Sequence, residues 1–458
     1  MHAGKHTATS PRTARGLVAV VIAVALLVGV GMGAGAARVG LATGASDVMV
    51  VASEAPAPRP SVSPSAAPPR TCSIDDFVTA DDALDFHGIV QRADTGEVLF
   101  ERQPEAATPT ASVMKLVTAV TALTALGPDT RLPTRVYPGD VAGSVVIVGG
   151  GDVTLKSGEQ SYYTDATASV SQLADAVEAA GGASRVGVDD SLFTGDTWQP
   201  SWNDADRLDG STAAVSALMV DAGRSNATAE YSTRTLTPTQ DAADAFADAL
   251  GATVDDTVGI EPGSEPIAEV WSPTIRELVD TMLLDSDNVI AESLARLVAI
   301  EQGTGSDFAA IDEAQRDVLD GLGVSTAGFV GADGSGLSRD NRASAETIVD
   351  LLDLIAADTD GLGTLRESLP ENMVSGTLET RIPTVPDGAI EAKTGFTDQV
   401  YGLAGFVTLP DGSELTFAMF VTVDDPEADT QVTSRANRDA LDATAAAVYE
   451  CGLDLGNR

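Results

Sequence analysis

Three short motifs, far apart in the chain, place two of its four lysines beside serine, asparagine and threonine. The motifs are Ser112-Val113-Met114-Lys115, Ser286-Asp287-Asn288 and Lys393-Thr394-Gly395. A residue type this scarce is rarely present for solubility. Each motif alone is common, as a helix start, a loop or a strand end. Their joint occurrence in this order predicts a fold that brings all three into one cleft.

The first motif pairs a hydroxyl with an amine one helical turn away. A helix predicted from about Ser112 to Leu126 places Lys115 on the same face as Ser112. A serine hydroxyl is a poor nucleophile until a base takes its proton, and lysine is such a base only when burial or a neighbouring cation lowers its pKa. We expect Ser112 to be the nucleophile and Lys115 its base, with Lys393 as the second cation. The backbone N–H groups of Ser112 and Phe396 are expected to bind the oxyanion.

The other two motifs supply the remaining groups that an acyl transfer needs. Ser286 is expected to pass a proton to the leaving amine. Asn288 is expected to hold the substrate amide. Lys393 and Thr394, followed by Gly395, are expected to bind a terminal carboxylate, the feature that distinguishes the end of a peptide from its interior.

Histidine and metal chemistry have few residues to use. His2 and His6 precede the first apolar stretch, so only His87 lies in the predicted folded region. It falls in a predicted strand, where packing is favoured over a place in a Ser-His-Asp triad. The densest acidic run has Leu208 where a calcium loop needs an oxygen ligand. We expect no metal site and no cofactor, so hydrolysis has to use lysine.

The apolar pattern predicts helices packed on a sheet. A hairpin is predicted around Asp94-Thr95-Gly96, and Ser272-Pro273 is interpreted as the start of a second helix. Ser286 then falls in the tight link before a third helix. The remaining predicted segments are helices at 112–126, 288–300 and 432–449 and strands at 86–90, 97–102, 391–394, 400–409 and 414–423.

The charge of the chain excludes one class of partner. The net charge is −41, from 68 acidic against 27 basic residues. Nucleic-acid binding depends on clustered Lys and Arg, so we expect no nucleic acid as a partner. With 43% hydrophobic residues in 458, the chain can bury the cores of two or three domains.

The N-terminal region carries targeting and spacing signals. A basic cytoplasmic tip at 1–16 precedes an apolar stretch at 17–37, which is long enough to span a bilayer, and a Pro/Ala/Ser-rich tether at 38–71. Both a cleaved signal peptide and a retained membrane anchor fit this stretch, and either exports the rest of the chain. In that oxidising compartment Cys72 and Cys451 either form one disulfide or remain two free thiols.

The motif trio is the signature of serine acyl-transferring enzymes that bind penicillin. From about Ile74 to Tyr449 the chain resembles the low-molecular-mass class C penicillin-binding proteins, the D-alanyl-D-alanine carboxypeptidase/endopeptidase family. Further blocks follow the family order, and we interpret them as structural, with their glycines in turns. They are Gly149–Asp152, Ala214–Leu218, Asp333–Arg339 and Ser375–Leu378.

The resemblance implies an α/β fold. It consists of a penicillin-recognising transpeptidase (β-lactamase-like) domain, with an antiparallel sheet flanked by helices, and an inserted α/β domain. The implied catalytic domain is 72–130 plus 265–451, the insert is 131–264 and a tail is 452–458.

The resemblance also implies a serine-type DD-peptidase outside the membrane, with peptidoglycan stem peptides as substrates, an acyl-enzyme on Ser112 and β-lactams as inhibitors. Two alternatives use the same site: a β-lactamase or D-stereospecific esterase, and a penicillin-binding sensor or wall-tethering module with impaired turnover. One residue departs from the family pattern. Where the family has Thr or Ser after K-T-G, this chain has Phe396, which predicts weaker binding of the substrate carboxylate.

Overall fold

A computed structural model describes residues 70–166, 168–423 and 432–457. The predicted cytoplasmic tip at 1–16, the apolar stretch at 17–37 and the tether up to residue 69 lie outside these residues. Within the part that is described, no helix combines the length and the apolar character needed to cross a membrane.

The described residues form ten strands and ten α-helices, numbered in chain order. The strands are β1 Asp85–Arg92, β2 Val98–Arg102, β3 Arg131–Pro138, β4 Ser144–Val148, β5 Arg185–Asp189, β6 Thr253–Val254, β7 Ala268–Thr274, β8 Ile390–Phe396, β9 Val400–Thr408 and β10 Glu414–Thr422. The helices are α1 Asp75–Val78, α2 Met114–Leu126, α3 Val170–Ala179, α4 Asp204–Asp209, α5 Pro238–Leu250, α6 Ile275–Leu284, α7 Asn288–Gln302, α8 Ala309–Leu322, α9 Ala345–Ala356 and α10 Arg435–Cys451.

The first sheet joins the two ends of the folded region. Its order is β2-β1-β10-β9-β8, and every neighbouring pair is antiparallel. Because side chains alternate along a strand, the two faces of β10 contribute side chains to two different hydrophobic clusters. Phe417 and Met419 pack in the cluster that contains α10, whereas Ala418 and Phe420 pack in the cluster that contains α2 and α9. Helices on both faces leave this sheet buried, and the predicted antiparallel sheet flanked by helices is confirmed.

The second sheet is built from the middle of the chain. Its order is β6-β5-β4-β3-β7, with β3 antiparallel to both neighbours and β4, β5 and β6 parallel. Helices α3 and α5 cover it through a separate apolar cluster that includes Val136, Leu173 and Phe246. Its strands run to Thr274, ten residues beyond the boundary at 264 expected from the sequence.

The predicted start of the second helix at Ser272-Pro273 is wrong. Both residues belong to β7, an edge strand, where proline is tolerated because its missing N–H faces no partner strand. Helix α6 begins at Ile275, and its N-cap is Thr274. Thr274 and Glu277 form a reciprocal capping box, which satisfies the helix N-terminus better than Ser272 could.

A disulfide between Cys72 and Cys451 closes the folded region, as one of the two sequence alternatives predicts. Cys72 lies beside Leu455, so the first and last described segments run together. Cys451 is the last residue of α10, which packs on the first sheet. The closing helix therefore begins three residues later than predicted and ends at the disulfide.

Candidate active site

Ser112 lies at the entrance to a helix that is enclosed on all sides. A 3-10 turn, Ala111–Val113, leads directly into α2. All residues from Met114 to Leu123 are buried, so the apolar face predicted from the sequence is only part of an interior helix. Lys115 sits in this interior stretch with no exposed surface. Its amine is therefore held inside the protein rather than in bulk water.

A glycine-containing loop fixes the back of the Ser112 turn. Gly336 has φ +85°, and a Cβ there would lie 1.8 Å from the carbonyl oxygen of Ala111. In the same loop, the carbonyl of Gly334 accepts a 2.6 Å hydrogen bond from Thr118 Oγ1 on α2. The structural interpretation of this glycine is confirmed, since only glycine has both the conformation and the space.

The amine of Lys115 connects the first two motifs. Lys115 Nζ donates to Ser112 Oγ at 2.9 Å, to Asn288 Oδ1 at 2.6 Å and to the carbonyl of Ser335 at 2.9 Å. Burial lowers the pKa of Lys115 to about 8, although nearby carboxylates, led by Glu292, raise it. The predicted base therefore stands next to the predicted nucleophile. Burial, one of the two causes expected from the sequence, is the largest cause of the decrease. The expected cation, Lys393, also lies close enough for the two positive charges to oppose each other.

The second and third motifs meet at Ser286. This residue has φ +59°, in the left-handed region, and lies in the short link between α6 and α7 as predicted. Lys393 Nζ donates to Ser286 Oγ at 2.9 Å and to the Thr394 carbonyl at 3.2 Å. Burial, and then the positive charge of Lys115, lowers the pKa of Lys393 well below its ordinary value. Each lysine thus holds one of the two serines.

The K-T-G motif forms one wall of the site on strand β8. Thr394 Oγ1 is 2.7 Å from Thr377 Oγ1, which adds a second hydroxyl. A Cβ on Gly395 would lie 3.0 Å from the carbonyl oxygen of Thr110, so the glycine lets β8 pack beside the Ser112 turn. The next residue, Phe396, is 59% exposed and stacks on Tyr401 with ring centroids 4.7 Å apart.

The motifs share one cleft of about 510 Å³. Both lysines lie beneath its floor, with no exposed surface. The predicted site residues that line this cleft are Ser112, Ser286, Asn288, Thr394 and Phe396. The structure thus brings together the site residues predicted from all three motifs. The predicted oxyanion pair, the backbone N–H groups of Ser112 and Phe396, remains a prediction about two residues that both line this cleft.

A network that the sequence did not reveal holds the Ser286 turn. Asp287 caps α7 through the N–H groups of Val289 and Ile290, and its second oxygen accepts from Tyr163 Oη at 2.6 Å and from Arg224 at 3.4 Å. Burial raises the pKa of Asp287, but Arg224 and Arg234 more than offset this, so it lies below its ordinary value.

The cation of this network is enclosed by aromatic rings. The Arg224 guanidinium lies 4.4 Å and 4.6 Å from the ring centroids of Tyr162 and Tyr163. Its side chain is 2% exposed. These three residues come from the region that contains the second sheet, so that region supports the turn that carries Ser286. Tyr162, Tyr163 and Arg224 are far from Asp287 in the sequence and form no recognisable motif with it, so the sequence did not predict this network.

Glu292 is a second residue that the sequence did not reveal. It is fully buried on α7 and accepts hydrogen bonds from the N–H groups of Gly334 and Ser335. The available signal was an acidic residue one turn after Asn288 in a predominantly apolar helix. A carboxylate in such a position costs free energy unless it is paired, so it indicates a partner.

Among the described residues, the cleft has neither a histidine nor a metal centre. His87 is buried in β1 and bonds to Asp85 at 3.0 Å, and it does not line the cleft. Across residues 70–166, 168–423 and 432–457, no three His, Cys, Asp or Glu side chains are grouped so that they could hold a metal ion.

Comparison with known proteins identifies the family. The sequence profile of the D-Ala-D-Ala carboxypeptidase 3 (S13) family matches residues 71–235 and 224–448. The chain belongs to this family. Its members are the low-molecular-mass class C penicillin-binding proteins that the motifs resemble, and the protein is an enzyme of the serine-type D-Ala-D-Ala carboxypeptidase class.

Two relatives support the assignment over most of their length. The chain is 37% identical to carboxypeptidase DacB of Mycolicibacterium smegmatis over 380 residues, which cover 80% of each chain. It is 34% identical to a carboxypeptidase of Mycobacterium tuberculosis over 430 residues, 88% of this chain and 91% of the relative.

A solved structure shows the fold. Penicillin binding protein 4 of Haemophilus influenzae superposes with a TM-score of 0.69 at 20% identity, over 82% of this chain and 98% of that chain. The chain therefore has the penicillin-recognising fold of this family.

Proposed function

We propose that this DD-peptidase removes the terminal D-alanine of a peptidoglycan stem peptide, or cuts a D-alanine cross-link, through an acyl-enzyme on Ser112. The observation that carries the proposal is the pair formed by Ser112 Oγ and Lys115 Nζ, 2.9 Å apart at the base of one cleft with Ser286. A buried amine with a pKa of about 8 is partly neutral near physiological pH, as a general base has to be.

The reaction uses the cleft residues in two stages. Ser112 Oγ attacks the carbonyl carbon of the scissile amide while its proton passes to Lys115. The N–H groups of Ser112 and Phe396 stabilise the oxyanion. As the C–N bond breaks, Ser286 delivers a proton to the leaving amine, and the proton taken by Lys115 replaces it. Water then attacks the ester carbonyl while Lys115 takes its proton. As the bond between the acyl carbon and Ser112 Oγ breaks, Lys115 returns that proton to Ser112 Oγ, so the acid is released and Ser112 is free again.

The rest of the site selects the substrate. The Asn288 side-chain oxygen is held by Lys115, and its amide nitrogen donates to the carbonyl of Ser211 at 3.0 Å. This fixed amide is suited to hold the peptide backbone. Lys393, beneath Thr394 and Thr377, is suited to receive the carboxylate of the residue after the scissile bond. Gly395 gives the substrate access to the strand edge.

The proposal extends to inhibition and location. β-Lactams are expected to acylate Ser112, since the chain belongs to a class of penicillin-binding proteins. Action outside the cytoplasm is supported by the apolar stretch at 17–37 and by the disulfide. Intact mass of the protein recovered from cells decides between a cleaved signal and a membrane anchor. We also propose that 131–264 forms an inserted domain, since most of the second sheet and its separate core lie there.

Mass spectrometry with benzylpenicillin tests the proposed function. Wild-type protein is expected to gain one long-lived adduct and to release D-alanine from a D-Ala-D-Ala peptide. Ser112→Ala is expected to do neither, because the nucleophile is lost, whereas Ser413→Ala in the exposed β9–β10 turn behaves as wild type. Rapid release of hydrolysed drug would show a β-lactamase instead. A stable adduct without peptide turnover would show a sensor, and a missing adduct would refute the acyl-enzyme.

A further inference from the structure

Glu292 is a fully buried carboxylate behind the nucleophile. It lies one helical turn after Asn288 on α7. Its Oε2 accepts the N–H of Gly334 at 2.9 Å, and its Oε1 accepts the N–H of Ser335 at 2.8 Å. Both oxygens accept, which is the arrangement of an ionised carboxylate. The roles assigned above to the cleft residues do not use this charge.

Glu292 is connected to two of the three groups that hold Lys115. The carbonyl of Ser335, whose own N–H bonds to Glu292, accepts from Lys115 Nζ at 2.9 Å. Asn288 accepts from the same amine and stands on the same helix as Glu292. The carboxylate thus fixes the 333–336 loop against α7, and the amine lies between the two elements. A change at Glu292 would displace a carbonyl that faces the amine.

Other charged groups near Lys115 have partners of their own. Asp287, the N-cap of α7, pairs with Arg224. Asp333 in the loop accepts from Trp202 Nε1 at 2.8 Å and from two backbone N–H groups. Lys393 on β8 is the basic residue that faces Lys115, and the positive charges of the two amines oppose each other. Among the carboxylates that raise the pKa of Lys115 against burial, Glu292 has the largest effect. Burial and then Asp333 raise the pKa of Glu292 itself to about 8, whereas the hydrogen bonds that it accepts from Ser335 and Gly334 favour its ionised form. Glu292 is the counter-charge of Lys115 in that ionised form.

We propose that Glu292 is a positioning residue and the counter-charge of Lys115, and that it sets the pH above which Lys115 acts as a base. This inference rests on the proposed function, in which neutral Lys115 takes the proton of Ser112. A nearby negative charge stabilises the ammonium form, so the amine loses its proton at a higher pH than it would without Glu292. Glu292 thereby makes Lys115 a base only at a higher pH, and it also holds the groups that position the amine.

The pH dependence of acylation by benzylpenicillin tests this. Glu292→Gln removes the charge at nearly constant size. Because the ammonium form loses its counter-charge, the midpoint of the acid limb is expected to move to lower pH by about one pH unit. The limiting rate is expected to fall, since an amide cannot accept both N–H groups. A midpoint that stays in place or moves to higher pH would overturn the proposal.

Two further variants separate charge from structure. Asp152→Asn removes another fully buried carboxylate, one that bonds to Thr154 and does not act on Lys115, so its midpoint should equal that of wild type. Glu292→Asp keeps the charge but shortens the side chain, so it should keep the midpoint and lower the limiting rate. If Glu292→Gln does not fold, this variant decides, and a wild-type rate in it would refute the positioning role.

The same experiment separates a failure of the acyl-enzyme proposal from a failure of the role proposed for Glu292. If wild-type protein forms no adduct with benzylpenicillin at any pH, the acyl-enzyme proposal fails, and the role of Glu292 fails with it. If wild type is acylated and Ser112→Ala is not, the proposed function stands. In that case an unmoved midpoint in folded Glu292→Gln rejects the role of Glu292 alone.

Discussion

At the scale of single residues, burial decides what the two lysines of the cleft can do. Lysine is normally a hydrated surface cation, but neither Lys115 nor Lys393 has exposed surface. The loss of hydration lowers the pKa of both amines. Lys115 retains carboxylate neighbours that limit the decrease, whereas the facing charges that act on Lys393 are positive. The two amines therefore share burial but differ in the charges that act beside it.

Phe396 is the residue from which we expect a substrate preference. In the family pattern this position carries a hydroxyl that helps bind the substrate carboxylate, and the phenyl ring here is turned outward onto Tyr401. A hydrogen bond to a charged group contributes ~1.5 kcal/mol or more, which is about a tenfold change in binding. Phe396→Thr is therefore expected to raise kcat/KM for a D-Ala-D-Ala peptide about tenfold.

The matched control for this prediction is Phe396→Val, which has the shape of threonine without the hydroxyl. The comparison of interest is Thr against Val at position 396, measured by release of D-alanine under the same conditions. Equal kcat/KM in the two variants would mean that the missing hydroxyl does not limit this enzyme. Unchanged turnover in Phe396→Thr relative to wild type would count against the prediction as well.

At the scale of elements, the turn between α6 and α7 combines an unusual backbone conformation with several buried contacts. Ser286 has a left-handed conformation that a residue with a side chain seldom adopts. Directly after it, Asp287 is bound by helix N–H groups, a tyrosine and an arginine. These contacts overdetermine the turn, which is how a strained conformation persists in a folded protein.

Arg224→Met tests whether this support matters to catalysis. Removing one partner of a buried ion pair leaves Asp287 unpaired and costs ~3–5 kcal/mol. We expect a large decrease in Tm together with a decrease of at least about tenfold in acylation rate at a temperature where the variant is folded. The reason is that Ser286 loses its fixed position.

Arg316→Met is the matched control, because the same substitution removes an arginine whose ion pair is not buried. Arg316 forms a half-exposed i,i+4 pair with Asp312 and also lies over the ring of Phe329. Exposed pairs of this kind contribute ~0–1 kcal/mol, so this variant should keep the acylation rate of wild type. If Arg224→Met loses stability but acylates at the wild-type rate, the network is structural only.

At the scale of the whole molecule, the first sheet joins segments from both ends of the folded region. Strands β1 and β2 come from the beginning, and β8, β9 and β10 from the end, with the second sheet built from residues between them. A fold with such long-range pairing loses much chain entropy when it closes. The disulfide between Cys72 and Cys451, 379 residues apart, reduces that loss by connecting the ends in the unfolded chain.

Replacement of both cysteines by serine is therefore expected to destabilise the protein. In chain-entropy terms a loop of this length is worth up to about 5 kcal/mol, and less if the unfolded chain is compact. The urea midpoint should fall. The acylation rate of folded protein at 25 °C should stay within about twofold, because the bridge is at the end of α10 and neither cysteine lines the cleft. Non-reducing peptide mapping verifies the bridge in wild type. An unchanged urea midpoint would contradict the prediction.

The sequence by itself determined the parts of this protein that rest on local patterns. The hairpin at β1 and β2, the strands β8 to β10 and the helices after Ser112 and Ser286 depend on turn residues and apolar spacing within a few residues. The three motifs could be recognised from the sequence because each consists of three or four consecutive residues. One local pattern misled: Ser272-Pro273 has the form of a helix start, but the pairing of β7 with β3 and the Thr274 capping box prevailed.

Only the tertiary structure decided how the site is supported and charged. Glu292 meets Gly334 across 42 residues, and Arg224 meets Asp287 across 63, so no window of sequence shows either contact. The same holds for the cause of the lowered pKa of Lys115. The sequence left both burial and a neighbouring cation as causes, and the structure shows that burial is the largest, opposed by carboxylates among which Glu292 has the largest effect. Burial and long-range pairing are properties of the packed chain, since they depend on which distant segments exclude water from a group.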